Sequence, residues 1–154
     1  MESLIIIINE YIKTMPNSCK NLVIRCMDYR LNNSLNEWIK NQGILDEGYD
    51  LVSIAGAGKR IAEGVDEFFL DIGVSCKLHS VDRIILIRHS NCGAYAMDYN
   101  FSSIKEEKEK QMSDMKKVRK IIKKKYPHVE VVKVWAELKD PKGEKIEFSI
   151  INED

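Results

Sequence analysis

Two apolar runs, residues 21–25 and 83–88, each lead directly into a cluster of chemically reactive side chains. Both runs are β-rich and too short for a stable helix, so they read as buried strands. The clusters are Cys26-Met27-Asp28-Tyr29-Arg30 and His89-Ser90-Asn91-Cys92-Gly93. If the two strands belong to one parallel sheet, both clusters lie beyond its carboxyl end, where open α/β sheets usually bind ligands.

The rest of the chain supplies the other parts of such a sheet. Leu31, Leu35, Trp38 and Ile39 mark a helix that stops near Gly43, and residues 50–54 a strand followed by the tight turn Ala55-Gly56-Ala57-Gly58. Ile61, Val65, Phe68, Phe69 and Ile72 predict a helix ending at Gly73. From 102 to 126 the spacing of Ile104, Met112, Met115, Val118, Ile121 and Ile122 is that of a long surface helix, broken before Pro127. Residues 129–138 read as a strand, Asp140-Pro141-Lys142-Gly143 as a turn, and 146–151 as an antiparallel return. Leu4, Ile5, Ile8, Tyr11 and Ile12 predict a short N-terminal helix over 1–15 whose apolar face needs a partner. The expectation is one α/β domain over 1–154, with a mainly parallel central sheet flanked by helices and a C-terminal antiparallel hairpin.

The 24 basic and 24 acidic residues cancel, so the totals favour neither nucleic acid nor membrane as a partner. Residues 116–125 are densely basic, but no aromatics interleave with the lysines, and a solvated helix face accounts for them. The most apolar stretch, 4–8, is far shorter than the ~20 residues of a membrane span and lacks the marks of an export signal, so a cytoplasmic location is expected. The four cysteines are then thiols or metal ligands, with Cys19 and Cys76 read as bystanders. Residues 55–59 glance at a phosphate loop, but Ser53 and Arg60 break its pattern.

A lone cysteine at a strand end is most often a small buried hydrophobe, and a lone histidine is usually just hydrogen-bonded. Here Cys26, His89 and Cys92 occur together, and two thiolates with an imidazole are the donors zinc prefers. Three protein ligands leave a fourth position for Asp28, water or substrate. With one residue between them, Asp28 and Arg30 point the same way if the segment is extended, and an ion pair would keep Asp28 charged and oriented. The step from His89 to Cys92 suits a single turn, and Gly93 permits close backbone approach.

The pattern C-x-D-x-R, followed about sixty residues later by H-x-x-C-G, resembles the signature of the β-carbonic anhydrase family. The turn at 53–57 resembles that family's small-residue turn after its second strand, and the likeness covers nearly the whole chain. It implies zinc on Cys26, His89 and Cys92, with Asp28 as fourth ligand or as partner of Arg30. It implies a homodimer that exchanges N-terminal helices, and reversible hydration of carbon dioxide to bicarbonate by zinc-bound hydroxide that Asp28 orients. Tyr29, Ala55, Gly56, Arg88 and Gly93 are then expected around the substrate, with Tyr95 nearby. The chain departs from the family pattern at Tyr29, where serine is usual, at Arg88, where glycine is usual, and at Asn91, where aspartate is common; no family-type glutamine precedes Cys26. Hydrolysis of carbonyl sulfide or carbon disulfide at the same zinc, or a purely structural zinc, are the alternatives.

Overall fold

A computed structural model describes residues 18–65 and 69–152. The helix expected over 1–15 and the position of Phe68 lie outside the described residues. Five strands form one sheet: β1 (Asn21–Cys26), β2 (Tyr49–Ile54), β3 (Arg83–His89), β4 (Glu130–Leu138) and β5 (Ile146–Ile151), in the order β2-β1-β3-β4-β5. The first four run parallel and β5 returns antiparallel to β4, as the alternation of patterns predicts. Every residue of β1 is buried, as befits a strand paired on both edges and covered on both faces.

Alternation along the strands splits the core in two. Val23, Ile85, Ile87 and Val134 face one side, where they meet Leu31, Leu35 and Ile39 from the first helix, α1 (Asn32–Asn41). That helix ends where Gly43 takes a left-handed φ of 71°, a conformation that costs glycine little, and the one-turn α2 (Ile44–Glu47) follows. Leu22, Ile24, Ile84 and Leu86 face the other side, against Met115, Val118 and Ile122 of the long helix.

Between β2 and β3 the structure differs from the single helix that the sequence predicts. A one-turn α3 (Lys59–Ala62) stops in a Glu63-Gly64 turn, and a separate α4 (Phe69–Leu78) runs straight through Gly73. Gly73 gives clearance instead of a stop: a Cβ there would lie 3.2 Å from the Tyr126 hydroxyl. The one-turn α5 (Gly93–Ala96) follows β3, and the long helix is α6 (Ile104–Lys125). Its start is capped by Ser103, whose hydroxyl accepts from the Glu106 backbone amide at 3.2 Å.

The inner line of α6 is Glu107, Gln111, Asp114, Met115, Val118 and Ile122, polar toward its start and apolar toward its end. Truncating the apolar end is expected to be costly: Ile122→Ala should destabilise the chain by about 2–5 kcal/mol, because Ile122 is fully buried between α6 and the sheet. Lys120→Ala, on the exposed face, should leave the denaturation midpoint unchanged in the same urea titration.

Candidate metal centre

β1 and β3 are direct neighbours in register, Arg25 opposite Ile87, so Cys26 and His89 emerge side by side at the carboxyl end of the sheet. Beyond His89 the chain turns sharply. Ser90 N donates to Ala136 O at 3.1 Å, the Ser90 hydroxyl accepts from Leu138 N at 2.9 Å, and Asn91 adopts a φ of 59°. Cys92 caps α5 and is swung back toward Cys26, with 3.9 Å between the two sulfurs. Candidate ligand atoms of Cys26, His89 and Cys92 all lie within 4.8 Å of one another, and all three residues are buried.

These donors fit zinc. Two zinc–sulfur bonds of ~2.3 Å at a tetrahedral angle span about 3.8 Å, which matches the sulfur separation. His89 Nδ1 donates to Ser90 O at 2.8 Å, which leaves Nε2 as a buried nitrogen with no hydrogen-bond partner. A buried polar atom left alone is costly, and an imidazole oriented through its other nitrogen is the usual form of a metal ligand. The hydrogen bond between the sulfurs holds the Cys26 thiol well below the usual thiol range, outweighing burial, with His89 adding to the effect. The same contact, together with burial, pushes Cys92 up.

Asp28 sits beside this centre without belonging to it. The segment after Cys26 is not extended: Asp28 caps a 3-10 turn, Tyr29–Leu31, by accepting from Arg30 N at 3.0 Å. That turn folds the Arg30 side chain back onto Asp28, Nε to Oδ1 at 3.0 Å and Nη2 to Oδ2 at 2.7 Å. The ion pair is therefore made by a cap, not by alternation along a strand. Arg30 is itself held, Nη2 donating to Asn91 O at 2.9 Å and Nη1 to Pro141 O at 3.3 Å. Gly143 of the β4-β5 turn is pressed so close that a Cβ would stand 2.7 Å from Arg30 Cβ. Asp28 Oδ2 lies 3.9 Å from His89 Nε2, next to the space the three ligands enclose. The Arg30 guanidinium holds the Asp28 carboxyl below its ordinary value, against the effect of burial.

Other expected site residues take varied places. Tyr29 is 78% exposed and points outward. Ala55 is exposed, while Gly56 is buried with φ 72° against Ala94, where a Cβ would come within 3.3 Å. The close backbone approach thus falls at Gly56; a Cβ built on Gly93 meets nothing within 4 Å among the described residues. Arg88 alternates to the sheet face opposite His89 and is fully buried instead of forming a pocket wall. It donates to Ala57 O and Gln111 O, each at 3.3 Å, and to the Tyr95 hydroxyl. The Tyr95 hydroxyl donates on to Asp114 at 3.0 Å. Burial draws Arg88 down to about 10 while Asp114 opposes it, so the guanidinium stays charged at neutral pH and braces the underside of the site.

Sequence reading overlooked Glu107 and Gln111. The buried Glu107 carboxylate accepts from Asn91 N at 2.8 Å and from Cys92 N at 2.9 Å. Gln111, one turn later, donates through Nε2 to Glu107 at 2.9 Å and to His89 O at 2.9 Å. Together they clamp the backbone that carries two of the three ligands. The available signal was a glutamate and a glutamine at i and i+4 in line with Met115 and Val118.

The class of protein is an α/β fold with a cysteine-histidine-cysteine group at the carboxyl end of its parallel strands, beside an arginine-held aspartate. The chain belongs to the family described as "Putative carbonic anhydrase", whose model matches residues 16–147. It is 32% identical over 133 residues to an "Uncharacterized protein" of Rickettsia bellii, covering 79% of this chain and 78% of the relative. A Rickettsia conorii relative is 28% identical over 138 residues, covering 80% and 69%. The fold is that of β-carbonic anhydrases. One from Trichomonas vaginalis superposes with a TM-score of 0.57 at 14% identity, over 98% of this chain and 97% of the other. Tetrameric β-carbonic anhydrases from Sordaria macrospora give a TM-score of 0.51 at 14% identity, over 94% and 85%. Among the described residues no helix is long and apolar enough to cross a membrane.

Two outcomes are expected. Glu107→Ala leaves two backbone amides near the ligands unpaired, so it should lower stability by about 1–3 kcal/mol and weaken metal affinity by roughly 10–100-fold, read by thermal melting and chelator competition. The Asp28–Arg30 pair, with a lowered carboxyl value in the folded state, stabilises above the ordinary carboxylate range. The stability difference between the parent chain and Arg30→Ala should therefore be full at neutral pH and vanish as pH falls through the lowered Asp28 value, as urea melts across the acid range would show.

Proposed function

We propose that this chain is a zinc-dependent carbonic anhydrase that interconverts carbon dioxide and bicarbonate, with Cys26, His89 and Cys92 as the protein ligands. The observation that carries the reading is the two-point grip of Arg30 on Asp28, which keeps a nearby carboxylate from closing the metal's fourth position. A purely structural zinc is normally closed by four protein ligands. Zinc held there supplies the Lewis acidity that makes water a nucleophile near neutral pH.

The chain's own residues do the rest. Ser90 O fixes the His89 ring so that Nε2 faces the centre. Arg30 keeps Asp28 ionised and oriented, so Asp28 is a fixed acceptor for the proton of a reacting water. Arg30 is itself tied to Asn91 O and Pro141 O, so the guanidinium that holds Asp28 back from the metal is fixed in turn. All four cysteines are free thiols, which suits a reducing, cytoplasmic setting. Met27, Tyr29 and Leu51, each more than half exposed around the site and on edge strand β2, support a second copy of the chain as partner.

Stopped-flow carbon dioxide hydration by the zinc-loaded chain tests the proposal. Turnover should require zinc and rise with pH. Asp28→Ala should keep the metal and lose on the order of 10²-fold or more in kcat/KM, whereas Cys92→Ala should lose both. An Asp28→Ala chain as active as the parent would remove Asp28 from the mechanism. Zinc-loaded protein inactive at every pH would overturn the proposal, and turnover of carbonyl sulfide by that same protein would redirect it to sulfur analogues.

A further inference from the structure

A second group of metal-type donors stands at the other end of the sheet. Cys19 precedes β1, Asp50 is the second residue of β2, and His79 follows the end of α4. Their candidate ligand atoms lie within 4.8 Å of one another, and these two groups are the metal-type clusters found among the described residues. Three chain segments are brought together here by specific contacts. Cys19 N donates to His79 O at 3.0 Å, and Gly48 leaves room for the cysteine, since a Cβ there would come within 3.1 Å of Cys19 Cβ. Asp50 Oδ2 accepts from His79 Nδ1 at 2.7 Å and from the Ser75 hydroxyl at 2.7 Å.

We propose that Cys19, Asp50 and His79 bind a divalent transition-metal ion of the zinc type, which ties the segment before β1 to β2 and to the end of α4. Thiolate, imidazole and carboxylate are all zinc ligands, and this mixed set suits a borderline cation over calcium or magnesium, which take oxygen alone. Hydrogen bonding accounts for Asp50, Ser75 and His79, and packing against the core for Cys19, yet three donor types of the zinc set converge on one place. The Cys19 thiol donates to Asn21 O at 3.5 Å and lies beside Asp50. As the sulfur–metal bond forms, the thiol proton passes to solvent.

Access and independence both favour the site. The His79 and Asp50 side chains are 31% and 28% exposed, beside a groove of about 390 Å³ that Ser75 and Asp71 also line. Three protein donors would leave any further position to water. Asp50 lies four positions before Ile54, the residue paired with Cys26. At ~3.3 Å per residue the two centres are therefore separated by more than about 13 Å and share no ligand.

Titrating the metal-free full-length chain with cobalt(II) under reducing conditions, read by thiolate-to-cobalt absorption, separates this site from the first. Two ions per chain are expected, one for each group. Cys19→Ser with His79→Ala should abolish one of them and the rise in Tm that accompanies it, and leave carbon dioxide hydration by the other centre unchanged. Cys26→Ser with Cys92→Ser should abolish the other ion and leave the Cys19 signal. His79→Ala alone, a half-exposed position, serves if the double variant melts early. A parent chain that binds a single ion lost with Cys26 and Cys92, or a second ion that survives Cys19→Ser with His79→Ala, would overturn the proposal. Loss of binding at Cys26 and Cys92 alone bears on the catalytic reading and not on this one.

Discussion

Parallel pairing of β1 with β3 is the constraint on which the rest depends. With Asn21 opposite Arg83 and Arg25 opposite Ile87, the two buried strands end together and deliver Cys26 and His89 to one place. The pairing is strongly specified, because a shift of one residue would turn Val23, Ile85 and Ile87 out of one core layer and into the other. Hydrophobic burial on two faces thus sets the position of these candidate metal ligands.

Around that fixed pair, the variable parts of the site are held by polar contacts that cross between elements. Arg30 is gripped by the turn that carries Asp28, by the second ligand loop at Asn91 and by the hairpin at Pro141. Glu107 and Gln111 hold the His89-Cys92 loop from behind, and a chain of hydrogen bonds from Arg88 through the Tyr95 hydroxyl to Asp114 braces it further. The start of α6 spends buried surface on polar groups where its end buries apolar ones. The same helix therefore positions ligands at one end and anchors the core at the other.

The two donor groups have unlike surroundings. Cys26, His89 and Cys92 are buried with an orphaned imidazole nitrogen among them, an arrangement that a metal ion would complete. Cys19, Asp50 and His79 are half-buried, and their nitrogen and carboxylate satisfy each other. The first is built into the core and the second across its rim, so metal at the second serves to join segments and not to complete a buried cluster.

Much of this molecule could be read from the order of its residues. Period-two and period-3.6 patterns are local, so the five strands, α1 and α6 were legible within a residue or two, as were Cys26, His89 and Cys92, whose chemistry has few other uses together. Less legible was whatever depends on residues distant in the chain. Gly73 looks like a helix stop until Tyr126 is found against it, and Arg88 looks like a pocket residue until strand alternation sends it to the far face. Asp28 and Arg30 pair as expected, but through a capped turn instead of an extended segment. Glu107 gives no sign of its role in the sequence because its partner, the Cys92 amide, lies 15 residues away, and Cys19 meets Asp50 and His79 only in the fold. Local pattern determines which element forms and which donors it carries; which of those donors meet is decided by sheet order and register, long-range packing choices that no single segment contains.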